Sequence, residues 1–398
     1  ILDMSQFNTS TNHPLIPNSQ EYLVYKKIIS IHSEDRDMVK FPSASEFEIE
    51  LPQDYLNVRS ATLSSWTFPA NYSTFSLQNR NITMSFQLNP CNPGSLRVSE
   101  PLQHAIFNSL YKKIGSDFFI IIESGFYNPD QMTTELTNRF NQAVTDYIVS
   151  TIDPAYTAEF LQHGGYTDFV IVYNNVSQKI WFGNKSSGFT LTNNIDNESN
   201  FYDTNIYCKQ QRVPTFVNWG LPYFLGLTRC PEESITAGEN LPRFYYGDVK
   251  PGDSGFWLTP NQYLPGCQVY FLECPQKINL MGPSYFYIDI DLLNNIDETY
   301  PFNISGFTNM TNETNGKVNS AFAKIAIPTT PLSQWFETEA SESYKIFDPP
   351  AERIRRLKIK IRYHDGSPVN FDSFPFSFSL QFTLFNAQKK LGYNLTLI

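Results

Sequence analysis

From Leu357 to Tyr363 the chain reads Leu-Lys-Ile-Lys-Ile-Arg-Tyr. This strict alternation limits the fold more than any other feature, because a period of two buries one face of a β-strand and wets the other. The same period recurs in Phe47-Glu48-Ile49-Glu50-Leu51, with Phe47, Ile49 and Leu51 on one face. It returns from Phe376 to Phe385, where Phe376, Phe378, Leu380, Phe382 and Leu384 share a face. Further strands are expected at Tyr25 to Ile31, Val58 to Trp66, Ile82 to Leu88, Phe118 to Ile122, Phe169 to Tyr173, Lys179 to Phe182, Tyr285 to Leu292 and Phe322 to Ile327. Asn174-Asn175-Val176-Ser177 reads as a hairpin loop and His364-Asp365-Gly366 as a turn. Aromatic residues make up 15% of the chain, led by 33 Phe and 23 Tyr, which favour strands; 26 Pro and 19 Gly break long helices. The expected class is all-β, a jelly-roll β-sandwich closed by pairing early strands with late ones.

One segment carries a helical period. Asn128 is an N-cap, Pro129 suits the first helical position and Gln131 completes a capping box. Met132, Leu136, Phe140 and Val144 then form an apolar stripe, so one amphipathic helix is expected at about 129–147. Residues 1–22 are polar and read as an N-terminal arm. The stretch 184–284 is rich in Asn, Gly and Pro and reads as an elaborated loop region within a single jelly-roll domain at 23–388, followed by a tail at 389–398. Two jelly rolls with a break near 230 are the alternative that 398 residues allow.

Hydrophobic residues at 41% exclude wholesale disorder, while charged residues reach only 17%, below the usual level of about 25%. The net charge of −10 argues against nucleic-acid binding, which needs Lys and Arg on phosphates. The longest apolar run, Phe118 to Ile122, is far short of the roughly 20 residues of a membrane helix. The opening ILDMSQFNTSTNHPLIPNSQ has no basic start and no apolar centre, so no secretory signal is expected there. The five cysteines form no CxxC and are expected as free thiols, although the Cys267/Cys274 spacing leaves a small disulfide loop open. The five histidines show no metal-binding spacing; neither metal nor cofactor is expected.

Four motifs invite a chemical reading. Gly252-Asp253-Ser254-Gly255 resembles a serine-protease nucleophile loop, but Phe256 and Trp257 follow where further glycine is needed, and no catalytic-type histidine element precedes it. No enzymatic activity is expected. Ser33-Glu34-Asp35-Arg36-Asp37 offers three acids and an arginine, and reads as a solvated turn with an Asp capping backbone donors. Arg353, Arg355, Arg356, Lys358, Lys360 and Arg362 crowd one segment; on a strand Arg356, Lys358, Lys360 and Arg362 share a face, either solvated or set against an acidic neighbouring subunit. Ten Asn-x-Ser/Thr sequons include Asn71, Asn81, Asn303 and Asn309, which are candidate glycosylation sites read by default as unmodified.

Several blocks, in order, resemble the minor capsid proteins of nucleocytoplasmic large DNA viruses, the chlorella virus and mimivirus group. They are Ile31-His32-Ser33-Glu34-Asp35-Arg36-Asp37, Phe41-Pro42, Glu46 to Pro52, Asn57 to Leu63, Phe68-Pro69-Ala70-Asn71-Tyr72 and Glu123-Ser124-Gly125-Phe126-Tyr127. Ala321 to Ile325 and Leu357 to Gly366 fit the closing half of that pattern. The resemblance spans about 25–385 and is weakest over 184–284. It implies a jelly-roll capsid protein, either beneath the major capsid shell or at a fivefold vertex, assembled in the host cytoplasm and residing in the virion. Its partners would be the major capsid protein and neighbouring minor capsid proteins, with a homo-oligomer at a vertex as an option. Candidate subunit contacts are Leu15 and Ile16 of the arm, with Arg356, Lys358, Lys360 and Arg362. The competing reading is a lectin-like sandwich that stacks sugars on exposed aromatics such as Trp181 or Trp257.

Overall fold

The computed structural model describes residues 22–69, 74–90, 101–205, 220–238, 240–244, 255–262, 267–299, 318–327, 334–337, 343–364, 366 and 368–387. In chain order, the first strands are β1 (Tyr22–His32) and β2 (Glu46–Pro69). A long middle segment carries β3 (Thr83–Asn89), α1 (Pro101–Tyr111), β4 (Phe118–Ile121), α2 (Pro129–Thr151), α3 (Pro154–Gln162), β5 (Phe169–Asn174), β6 (Lys179–Asn184) and β7 (Gly188–Thr192). It continues through α4 (Ile195–Asn205), α5 (Leu221–Leu225), β8 (Glu232–Glu233), β9 (Ile235–Thr236) and β10 (Tyr270–Glu273). The closing strands are β11 (Tyr285–Ile290), β12 (Ile296–Thr299), β13 (Val318–Ala321), β14 (Ala323–Ala326), β15 (Gln334–Glu337), β16 (Tyr344–Arg362) and β17 (Ser377–Ala387).

These elements fall into two compact units. The first is Ile1–Asn71 with Ser284–Ile398, and the second is Tyr72–Pro283. The stretch expected as a single domain at 23–388 contains two compact units, each with its own apolar core. The second unit runs across residue 230 and is inserted between two halves of the first.

The first unit is built on a seven-stranded antiparallel sheet in the order β1-β17-β2-β16-β11-β14, with β15 on the far end of β2. Early strands pair with late ones, as the alternating segments at both ends of the sequence imply. The sheet curls on itself: Phe68 of β2 meets Phe286 of β11 at 4.8 Å between ring centroids, although β16 lies between those strands. Phe371 and Phe376 close the same cluster. This curled antiparallel half-barrel is consistent with a jelly-roll β-sandwich. Its two longest strands carry prolines without breaking. Pro52 lies where the pairing jumps from Tyr55↔Ile354 to Glu50↔Arg356, and Pro349 and Pro350 lie between Ile346↔Ser60 and Ala351↔Val58. A residue with no N–H is tolerated where a bulge has already interrupted the ladder.

The second unit has two four-stranded antiparallel sheets, β5-β6-β10-β9 and β4-β3-β7-β8. Helix α2 has the expected cap: Gln131 N donates to Asn128 Oδ1 at 2.8 Å, and Asn128 N donates to Gln131 Oε1 at 3.0 Å. Its stripe of Met132, Leu136, Phe140, Val144 and Ile148 is fully buried. Phe140 bridges both sheets, stacking on Phe86 at 4.3 Å and meeting Phe169 at 5.0 Å. A second stripe of α2 closes the free edge of β5. Asn141 accepts from Phe169 N and donates to Phe169 O, each at 3.0 Å, as a neighbouring strand would. Thr137 Oγ1 accepts from Ile171 N at 3.2 Å, and Thr145 Oγ1 accepts from Tyr166 N at 2.9 Å. Asn141→Val should orphan both Phe169 backbone groups and lower stability by roughly 2 kcal/mol in urea titrations. A change below about 0.5 kcal/mol would mean that water replaces the amide at that edge.

The stretch 184–284 is less loop-like than its composition implies. It contributes β7, α4, α5 and β8 to β10, and buries Phe189, Leu191, Leu221, Phe224, Leu225 and Leu272 in the core of the second unit. Its strands are too short to show a period against their polar surroundings.

Candidate functional site

The basic segment of β16 meets an acidic partner inside its own sheet. β2 presents Glu46, Glu48 and Glu50 opposite Lys360, Lys358 and Arg356 in the strand register. Arg355 Nη2 reaches Glu50 at 2.6 Å, Arg356 reaches Glu48 at 3.5 Å and Lys358 reaches Glu46 at 3.9 Å. Arg353 faces Asp54 at 3.7 Å. Exposed pairs of this kind are screened and individually weak, so the ladder sets register and solubility more than stability. The neighbouring-subunit alternative is therefore not needed to balance Arg356 or Lys358.

Arg362 departs from the expected exposed face. It is 3% exposed and sits at the end of β16 among residues from several strands. Its guanidinium donates from Nε to Asp289 Oδ2 at 2.6 Å and from Nη2 to Asp289 Oδ1 at 3.2 Å, a two-pronged contact with β11. The same Nη2 bonds Glu298 Oε1 of β12, whose other oxygen lies 2.9 Å from His364 Nδ1. Burial pushes the Asp289 carboxyl up from its ordinary range, with the Arg362 hydrogen bonds opposing that shift. Arg362 is thus an internal cross-link between strands and is withdrawn as a subunit-contact residue.

One edge of the sheet is β1. Its 11 residues pair with β17 from Tyr22↔Ala387 to His32↔Ser377, and it lies at the end of the strand order. Val24, Tyr25 and Ile28 are exposed on it, Ile28 by 63%. Lys26 and Lys27 are also exposed, a charge pattern that discourages indiscriminate edge pairing. Leu15 and Ile16 lie outside the described residues.

The remaining motifs resolve into structural roles where they are described. In Ser33-Glu34-Asp35-Arg36-Asp37, Asp37 Oδ1 accepts from Val39 N and Lys40 N, the expected cap. Arg36 pairs with no acid of that motif; it holds the carbonyls of Ser33, Phe41 and Pro42 at 2.6, 3.0 and 3.1 Å. Asn81 is 1% exposed, with its Nδ2 donating to Thr74 O at 2.7 Å and its Oδ1 accepting from Ser76 N at 2.9 Å. An acceptor amide so enclosed leaves no room for a glycan, so Asn81 is withdrawn as a glycosylation site. Asn71, Asn303 and Asn309 lie outside the described residues, as do Asp253 and Ser254. Trp181 and Trp257 pack edge to face at 5.9 Å, with Phe244 and Phe271 against them, so their rings serve one another. Cys230 and Cys274 are free thiols. Among the described residues no His, Cys, Asp and Glu cluster is arranged to hold a metal ion, and no helix is long and apolar enough to cross a membrane.

Helix capping and alternation made the β16 ladder and α2 legible. The acidic partner row was missed because Glu46, Glu48 and Glu50 are separated from their partners by some three hundred residues, and nothing in a linear reading pairs them.

No family model matches the sequence, and no curated protein matches it. Among solved structures, the chain is similar to the mavirus penton protein, with 9% identity over 92% of this chain and 100% of that one, at a TM-score of 0.38. It is also similar to a chain of the Sputnik virophage cryo-EM structure, with 12% identity over 91% of this chain and 98% of that one, at a TM-score of 0.35. At these scores and identities neither likeness bears on the function of this chain.

Proposed function

We propose that this chain is a structural virion protein, a minor capsid or penton subunit that stabilises the icosahedral shell of a large double-stranded DNA virus through protein–protein contacts. The observation that carries the reading is the convergence of the family-like blocks. Ile31 to Asp37, Glu46 to Pro52, Asn57 to Leu63, Ala321 to Ile325 and Leu357 to Tyr363 are scattered through the sequence, yet all belong to the first unit, while Glu123 to Tyr127 lies in the second. The sheet of the first unit offers β1 as an edge, and the residues ahead of β1 are the polar arm containing Leu15 and Ile16.

In this reading the arm and the β1 edge meet other capsid proteins, the major capsid protein among them, in particles assembled in the host cytoplasm. An arm with so little apolar content gains order only on a preformed partner surface. Deleting residues 1–20 is expected to leave the melting temperature of the isolated protein nearly unchanged while reducing its incorporation into particles, read by quantitative blotting of purified virions. A truncated protein that melts far lower, or enters particles as well as the parent, would remove the arm from assembly. Absence of the full-length chain from intact particles would remove the virion role itself.

A further inference from the structure

The second unit contains a cleft of about 410 Å³ between α1 and α3, a volume suited to a small organic molecule. Its floor is apolar, formed by Leu102, Ile106, Phe107 and Leu110 of α1, all buried. At one end stands Asp168, which is 5% exposed and still lines the cleft. Asp168 Oδ2 accepts from Ser186 Oγ at 2.5 Å and Oδ1 accepts from Asn261 Nδ2 at 2.8 Å. These neutral donors fix the carboxyl without neutralising it. Lys185 directs its ammonium to Thr167 O at 3.1 Å while its charge still acts on Asp168, and no Lys or Arg is found among the described residues lining the cleft. The other acid there is Glu159 at the exposed rim, near His163. Burial raises the Asp168 carboxyl above its ordinary range, opposed by the Ser186 hydrogen bond, the nearby Lys185 charge and the Asn261 hydrogen bond.

We propose that this cleft binds a small alkylammonium ligand, its cationic head on the Asp168 carboxylate and its chain along the apolar face of α1. An ammonium supplies a countercharge inside the cleft and up to three donors, and an alkyl chain covers the floor without leaving a polar atom unpaired. A carboxylate ligand would face two acids; an alcohol would bury its chain equally well and lack the charge. The site is independent of the virion role proposed above.

The test is titration of the full chain with hexylamine, hexanol and hexanoate, followed by methyl NMR and calorimetry. Hexylamine is expected to bind at least tenfold more tightly than hexanol, with hexanoate weakest and with shifts at the Ile106, Leu102 and Leu110 methyls. Asp168→Asn should bring hexylamine down to the hexanol level and leave hexanol unchanged, while Glu159→Gln should alter hexylamine binding less than threefold. If Asp168→Asn does not fold, the ranking of the three probes on the parent protein decides the matter. Equal binding of amine and alcohol, methyl shifts elsewhere, or a loss that follows Glu159 instead of Asp168 would overturn the proposal.

Discussion

Replacing Arg362 with methionine is expected to destabilise the protein by about 3–5 kcal/mol, the range seen when one partner of a buried ion pair is removed. The side chain is almost completely enclosed, as is Glu298, and Asp289 is mostly covered. Methionine preserves much of the apolar stem and removes the five donors, leaving Asp289 of β11 and Glu298 of β12 with His364 beside Glu298 and the Lys360 charge near Asp289. Lysine at this position keeps the charge and loses the planar fork that spans Asp289 and Glu298, so Arg362→Lys should recover only part of the loss. Combining Arg362→Met with Asp289→Asn and Glu298→Gln should also recover part of it, because much of the penalty is the stranded negative charge. Urea denaturation of the full-length variants reads all of these effects. A methionine variant within about 1 kcal/mol of the parent would mean that the acids are solvated and the cross-link is idle.

The second large effect is one of pH. Glu198 on α4 is 6% exposed, and its Oε1 has no hydrogen-bond partner among the described residues. Burial pushes its carboxyl up to about 8 from an ordinary value of 4.5. Between those two values the folded protein holds a proton that the unfolded chain has released. Stability therefore falls as pH rises through this window, and the contribution of the neutral acid is fully present only below about 4.5. Glu198→Gln imitates the protonated form at every pH. It is expected to match the parent near pH 4.5 and to exceed it at pH 8 by on the order of 3 kcal/mol. Thermal melts of both proteins across that range provide the comparison. Parallel declines would show that Glu198 is ionised and solvated in the fold.

Both residues illustrate how far the sequence can be read. Arg362 is legible in the sequence as one of a basic row on a strand, which the structure places in β16. Its burial was not legible, because the period of two assigns it to the same face as Arg356, Lys358 and Lys360. What separates it from them is the β12–β13 hairpin, which covers the end of β16 with Glu298 and Ser320. Nothing in the sequence marks Glu198, since a single acid in a polar segment carries no local signal of burial. The same blindness affects Asn141, where a polar residue every fourth position looks like a solvated helix face and instead closes a sheet edge. The Asp168 cleft joins α1, α3 and loops far apart in the chain, and α1 itself was unforeseen.

The sequence by itself determined the local elements with strong periods. The strands at β1, β2, β3, β5, β6, β11, β16 and β17 and the capped start of α2 follow from alternation, from the Asn128–Gln131 box and from aromatic side chains that gain most by burial. The tertiary structure alone decided that Tyr72–Pro283 forms its own unit between two halves of another, and that 184–284 contributes core strands and helices to it. It also decided which polar residues are buried. The physical reason is range: a period or a cap is set by neighbours within a turn or two of the chain, whereas burial and charge pairing depend on segments brought together only when the sheets close.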